Sequence, residues 1–248
     1  MMAVKMLPAR VGMGGIFTPA MDNLMIPWIR LDAVQLEDGV ELKLMRRGAE
    51  FSIMLGTNEL MNSRLSGSEE ALARLAAEKL TGRAAPRMLI GGLGMGFTLR
   101  AALAALPADA RISVAELVPQ VIAWAKDPMA EVFDGCLDDP RVSLHQGDVG
   151  ELIRTANGDW DAILLDVDNG PDGLTRQGND ALYSAAGLGA AYRALAPGGV
   201  FSVWSSAPDA AFTRRLKQAS FQVTEMPTRA STKKRGARHM IWLAVKPG

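Results

Sequence analysis

The sequence predicts an α/β protein centred on a doubly wound, mainly parallel seven-stranded sheet that ends in an antiparallel hairpin. Three features point there. Short apolar runs alternate with helix-forming segments from Arg87 to Ala219. The first of these runs empties into a glycine turn with a helix directly behind it. The last two β-prone stretches follow one another with no helix between them, so they must pair antiparallel.

Before this region, Met1–Ala20 contains Pro8, Gly12, Gly14, Gly15 and Pro19 and little periodicity, so its ends read as loose. From Trp28 to Leu36 apolar and polar residues alternate roughly at period two. Glu37-Asp38-Gly39 makes a turn, and Val40–Met45 and Phe51–Leu55 resume as strands around a turn near Arg47-Gly48. Residues 1–65 are therefore expected to form an N-terminal extension and a small antiparallel β unit, with residues 66–248 forming the main domain. Ser68 is expected to cap a helix over Glu69–Leu80, whose early acids suit the positive end of the helix dipole. Strands follow at Met88–Gly91, Ile112–Glu116, Val142–Gln146, Ala162–Asp166 and Val200–Trp204. Helices fall at Thr98–Ala105, Pro119–Ala125, Val149–Thr155, Asp180–Leu195 and Asp209–Ala219. Phe221–Glu225 and Met240–Val245 form the closing hairpin, joined by Pro227–Arg238.

Composition narrows the function. Of 248 residues 48% are apolar, enough for a large core, and 27 basic residues cancel 27 acidic ones. No global field favours nucleic acid or an anionic membrane, and no Asn-Pro-Pro-Tyr-like base-flipping motif follows the fourth strand. No apolar run approaches the roughly 20 residues that span a bilayer, and Met1–Pro27 lacks the parts of a signal peptide. The single cysteine, Cys136, cannot form an internal disulfide, which suits a reducing cytoplasm. One cysteine and two distant histidines, His145 and His239, give no metal-site spacing. The expectation is a cytoplasmic enzyme or binding protein with a small-molecule partner and no metal.

The chemistry lies at the strand ends. In Arg87–Arg100, RMLIGGLGMGFTLR, a dinucleotide fingerprint would need a third glycine where Phe97 stands. The G-x-G-x-G form present is that of class I S-adenosylmethionine (SAM) enzymes. Ligands on open α/β sheets lie outside the carboxyl ends of the strands. The second strand ends in Glu116, able to accept both ribose hydroxyls of a nucleoside, and Leu117 follows it. The third ends in Gly147-Asp148, placed for an adenine amino group, with Val149 next. The fourth ends in Asp166, followed by Val167, Asp168, Asn169, Gly170 and Pro171. Any one such acid is commonly a helix cap or turn former; their succession on consecutive strand ends points to a SAM-type nucleoside. Arg229, Lys233, Lys234, Arg235 and Arg238 cluster in the last loop, either as a solvated loop or as an anion clamp.

RMLIGGLGMGFTLRAAL, ISVAELVPQVIAWA, DPRVSLHQGDV, WDAILLDVDNGPD and LYSAAGLGAAYRALAPGGVFSVWSS together resemble the spermidine synthase family of aminopropyltransferases. The likeness covers about residues 66–206, and the small β unit resembles that family's N-terminal hairpin domain. It implies the class I SAM-transferase sandwich and a homodimer. It also implies that Gly92, Leu93, Gly94 and Gly96 line the cofactor's methionine-derived chain, that Glu116 and Leu117 hold the ribose side, and that Asp148 and Val149 hold the adenine. Asp166 would meet the attacking amine. From the residues themselves, Asp168 or Asn169 either orients the acceptor or only shapes the turn into Gly170-Pro171.

Three departures bear on the reaction. The family's G-G-G-D-G-G motif has an aspartate where Gly94 stands, its D-S-S-D motif reads Asp166-Val167-Asp168-Asn169, and its Tyr-His-Glu cluster is replaced by Leu72, Ala73 and Arg74. An aspartate within about 4 Å of the carboxylate of SAM would repel it by roughly 4 kcal/mol at an effective dielectric of 20. Glycine removes that repulsion and leaves backbone N–H groups for the anion. The residues therefore favour methyl transfer from SAM to a small molecule bearing an amine or another nucleophile. The alternatives are aminopropyl transfer from decarboxylated SAM to a polyamine, or a catalytically silent SAM-binding protein.

Overall fold

The computed structural model describes residues 26–36, 39–167, 177–230 and 236–248. A four-stranded antiparallel sheet comes first: β1 (Ile29–Gln35), β2 (Glu41–Arg47), β3 (Glu50–Leu55) and β4 (Asn58–Asn62), paired in chain order. The short, polar β4 carries little strand signal in sequence and is held by its register against β3, Ser52 opposite Asn62.

The main domain then runs α1 (Gly67–Lys79), β5 (Arg87–Gly91), α2 (Phe97–Ala105), β6 (Arg111–Glu116), α3 (Pro119–Lys126), α4 (Ala130–Phe133), β7 (Val142–Gln146), α5 (Val149–Thr155), β8 (Trp160–Leu165), α6 (Gln177–Tyr183), α7 (Ala185–Ala194), β9 (Leu195–Ser205), α8 (Ala210–Gln218), β10 (Gln222–Arg229) and β11 (Arg238–Val245). The sheet order is β10-β11-β9-β8-β5-β6-β7. All neighbours from β9 to β7 are parallel, while β11 lies antiparallel between β9 and β10. The predicted class thus stands, hairpin included.

Local corrections have local causes. Helix α1 begins two residues earlier than expected, with Ser66 at its N-cap, and Ser68 is fully buried inside the first turn. The segment expected as one helix over Asp180–Leu195 divides at Ser184, whose hydroxyl accepts from Gly187 N at 3.1 Å and caps α7. Strand β10 continues through Pro227 to Arg229, because the sheet edge needs no N–H there.

Order in the sheet creates the site. Strand β5 is the centre: Gly91 stands between Ala115 of β6 and Leu165 of β8. The chain winds outward through β6 and β7, then returns to the other side of β5 as β8. Ligand crevices form where winding reverses in this way.

The N-terminal sheet is packed onto this domain. Leu42, Leu44, Phe51 and Ile53 join Leu72, Ala76, Met88, Ile90 and Leu99 in one buried cluster. Asp32 on β1 accepts from Trp124 Nε1 of α3 at 2.8 Å and from Gln120, and these bonds, Trp124 first, hold its carboxyl below the usual range. No helix among the described residues is long and apolar enough to cross a membrane.

A Leu44→Ala substitution should remove about 2–5 kcal/mol of stability. Because the core is shared, denaturant unfolding followed by Trp fluorescence and by far-UV circular dichroism should give one coincident transition. Two separated transitions would show that the small sheet melts on its own.

Candidate active site

The glycine turn after β5 is fixed by its neighbours. Gly92 has φ +92°, and a Cβ there would lie 2.3 Å from the backbone oxygen of Asp166. Only glycine lets the end of β5 approach the end of β8 so closely. A Cβ on Gly94 would meet Met61 Cε of β4 at 2.7 Å, so the small sheet covers the turn from above. Gly96 starts α2 and faces the Phe133 ring.

The predicted carboxylates converge on one cavity. Its walls include Gly92, Gly94, Glu116, Leu117, Asp148, Val149 and Asp166. Leu93 and Gly96 are absent from them: Leu93 donates its N–H to Glu116, and Gly96 serves the helix start. The small sheet adds an apolar roof of Leu36, Leu42, Ile53, Leu55, Leu60 and Met61. Sequence reasoning missed this roof, because nothing local says that alternating strand residues face a ligand rather than a core.

Each acid has a distinct setting. Glu116, 8% exposed, accepts from Leu93 N at 3.0 Å and Val118 N at 2.8 Å. Burial raises its pKa, and the amides of Val118, Leu93, Gly94 and Leu117 pull it back. Asp148 caps α5 through Gly150 N at 2.8 Å and pairs with Arg154 at 3.4 Å, so it shapes the turn as well as lining the cavity. Asp166 follows β8 directly, and its backbone N–H bonds Gly91 O at 3.0 Å.

Around Asp166 the structure assembles a carboxylate pair. Thr98 Oγ1, on the first turn of α2, donates to Asp166 Oδ2 at 2.6 Å. Glu69 of α1 bears on Asp166 electrostatically: burial first, and then the charge of Glu69, raise the Asp166 pKa to about 7, against the pull of Thr98. Burial also raises Glu69, opposed by the bond from Ser68 Oγ at 2.7 Å. Glu69 reads in sequence as a dipole-favoured acid; its partner lies 97 positions away, which no local pattern reveals.

The other singled-out positions divide. Leu72 and Ala73 are fully buried in the core, and Arg74 pairs with Glu78 on the surface, so the first helix is a packing element there. His145 is exposed on the edge strand β7. Asp168, Asn169, Gly170 and Pro171 lie outside the described residues, as do Lys233, Lys234, Arg235 and the segment 1–25. No group of three or more His, Cys, Asp or Glu among the described residues could hold a metal. The Cys136 thiol is pushed up to about 11 by burial.

Residues 68–222, well over half of the chain, match the family described as spermine/spermidine synthase domain. The chain belongs to that family. Within this family it is 35% identical to the polyamine aminopropyltransferase of Nitrosomonas europaea over 98 residues, 40% of this chain and 29% of that protein. It is 33% identical to the Mycobacterium tuberculosis enzyme of the same name over 146 residues, 55% of this chain and 27% of that one. These matches span less than a third of the relatives' own length. Among solved structures, the spermidine synthase of Thermotoga maritima superposes with a TM-score of 0.71 at 20% identity, over 88% of this chain and 72% of that one. A spermidine synthase in complex with the transition-state analogue AdoDATO gives 0.70 with the same identity and coverage. At that identity the likeness establishes the fold.

The raised Asp166 pKa carries a stability consequence. Below the usual aspartate range the carboxyl is neutral in folded and unfolded chains alike. As pH rises toward about 7 the folded protein holds a proton that the unfolded chain has lost, so stability falls. Asp166→Asn should therefore stabilise the protein at pH 8 by on the order of 1 kcal/mol or more, with the gain vanishing near pH 4. Urea denaturation at the two pH values measures this; an equal effect at both would place Asp166 in an ordinary, solvated setting.

Proposed function

We propose that this member of the spermidine synthase family is a SAM-dependent transferase that moves an aminopropyl group from decarboxylated SAM to a small amine. The observation that carries the reading is the pairing of Asp166 with Glu69 beside the glycine turn. Two electrostatically coupled acids in a desolvated corner share a proton readily and welcome a cation. The Asp166 carboxyl, with a pKa of about 7, is suited to taking a proton from an ammonium near neutral pH.

The cavity suits the donor nucleoside. Glu116 presents a carboxylate for the ribose, Asp148 and Val149 line the adenine end, Leu117 forms an apolar rim and the roof of Leu42, Ile53 and Leu55 excludes water. The donor supplies a sulfonium-activated carbon. Asp166 would hold the acceptor nitrogen in line with that carbon and accept its proton. As the nitrogen–carbon bond forms, the carbon–sulfur bond breaks and its electron pair leaves with neutral methylthioadenosine. One proton is released when the acceptor begins as an ammonium.

Methyl transfer, the leading expectation from sequence, draws less support. It relies on the backbone N–H groups at Gly94 being free for a donor carboxylate. Leu93 N donates to Glu116, the Gly94 amide lowers the pKa of the same carboxyl, and Met61 covers the glycine. The nearest side-chain charges are carboxylates, which disfavour a second anion. Family membership points the same way, toward aminopropyl transfer.

Incubation with decarboxylated SAM and putrescine should yield methylthioadenosine, and calorimetry should show decarboxylated SAM binding about tenfold or more tightly than SAM, a preference worth about 1.4 kcal/mol. Asp166→Asn should lower kcat by about 10²–10⁴-fold while methylthioadenosine affinity stays within about threefold. Tighter binding of SAM, with S-adenosylhomocysteine as product, would restore methyl transfer instead.

A further inference from the structure

The polar network around Asp166 does not stop at Glu69. Ser68 Oγ, which donates to Glu69 Oε2, also lies 2.9 Å from His239 Nδ1 on β11. A serine hydroxyl has one proton. With that proton given to Glu69, the imidazole must be the donor in the second bond, so Nδ1 carries its hydrogen. The result is a directed line: His239 Nδ1–H to Ser68 Oγ–H to the Glu69 carboxylate, whose charge raises the Asp166 pKa.

The line is held in the fold by four elements. Ser68 and Glu69 come from the first turn of α1, and Gly67 N bonds Ala230 O at 3.0 Å, which ties that turn to the end of β10. His239, second residue of β11, stands opposite Thr228 of β10, and its ring meets the Trp204 ring of β9 edge-on at 4.8 Å. Ser68 is fully buried. Near this line Trp204 Nε1 and Thr228 Oγ1 are buried polar atoms with no partner among the described residues. Groups of this kind are rare and mark places where polar contacts form with something else.

We infer that His239 is a positioning residue for the acceptor amine, holding Glu69, through Ser68, as the anionic partner of Asp166. The inference rests on the aminopropyl-transfer reading above. A neutral imidazole suits this role, because a donated hydrogen bond stabilises a carboxylate without a second cation to compete with the substrate. Burial lowers the His239 pKa, which favours the neutral ring. The other charges around it are Glu70 beside Glu69 on α1, Arg238 next to it on β11 and Arg229 paired with Arg238 on β10. Glu69 is the one joined to it by a hydrogen-bond line.

The chain has two histidines, so the ring Cε1–H signals in proton NMR separate into one from His145 and one from His239. In Glu69→Gln the titration midpoint of His239 should fall by about half a pH unit or more, since a negative neighbour is lost. His145 should not move. An unchanged His239 midpoint in that variant overturns the coupling, and this readout needs no turnover.

Kinetics tests the role in the reaction. His239→Leu should raise the amine KM about tenfold at pH 7, with kcat within about threefold. The deficit should shrink as rising pH ionises Glu69 without help. His239→Asn, which keeps an N–H donor near the Nδ1 position, should recover most of the loss. Equal falls in kcat and kcat/KM at every pH, with no recovery in the asparagine variant, would show a merely structural histidine and overturn the inference. Wild-type protein that makes no methylthioadenosine from decarboxylated SAM and any amine would defeat the functional reading and this inference's role for His239, while the NMR result would still decide the coupling.

Discussion

The site depends on one close approach. The end of β5 can stand against the backbone of Asp166 only because Gly92 has no side chain, and the N–H of Asp166 closes the contact on Gly91 O. Everything downstream follows from that seam. It brings the carboxylate after β8 beside the glycine turn, puts the first turn of α2 within reach through Thr98, and leaves the adjoining ends of β6 and β7 to offer Glu116 and Asp148 from the other side. A sheet with these strands in another order would carry the same acids and no common cavity.

Desolvation then turns geometry into chemistry. Glu116, Glu69 and Asp166 are all pushed toward their neutral forms by burial, yet each has different relief. Glu116 is surrounded by backbone amides, which fit it to remain an acceptor. Asp166 has one hydroxyl and a neighbouring acid, so it lies near the balance between proton and charge. The same functional group, a carboxyl, is therefore held as an acceptor in one corner and near its protonation balance in another.

Much of this was legible in the sequence, and the reasons are physical. Met88-Leu-Ile-Gly and its counterparts are continuous apolar runs because both faces of a parallel sheet are buried. The strand-end acids were legible because a parallel sheet presents all its carboxyl ends on one side. What escaped was non-local. Glu69, Thr98 and His239 become neighbours of Asp166 or of one another only through packing across 68 to 171 positions of chain. Ser68 looked like a cap, and its burial at the centre of a polar line is a tertiary fact. Gly94 was read for the space it opens, while the space is taken by Met61 from a strand too short and polar to be foreseen.

The place of β11 has a consequence for how the molecule comes into being. This strand lies between β9 and β10 although it follows both in sequence, and it buries Trp242 and Ile241 completely. During synthesis β10 has nothing to pair with until β11 arrives, so the sheet stays open at β9 while most of the chain is already made. Long-range pairing of this kind slows folding and exposes strand edges in the interval. The glycine turn, the strand-end cavity and Asp166 can form beforehand, but the imidazole line cannot. A nascent chain thus acquires its strand-end pocket early and its complete polar network last.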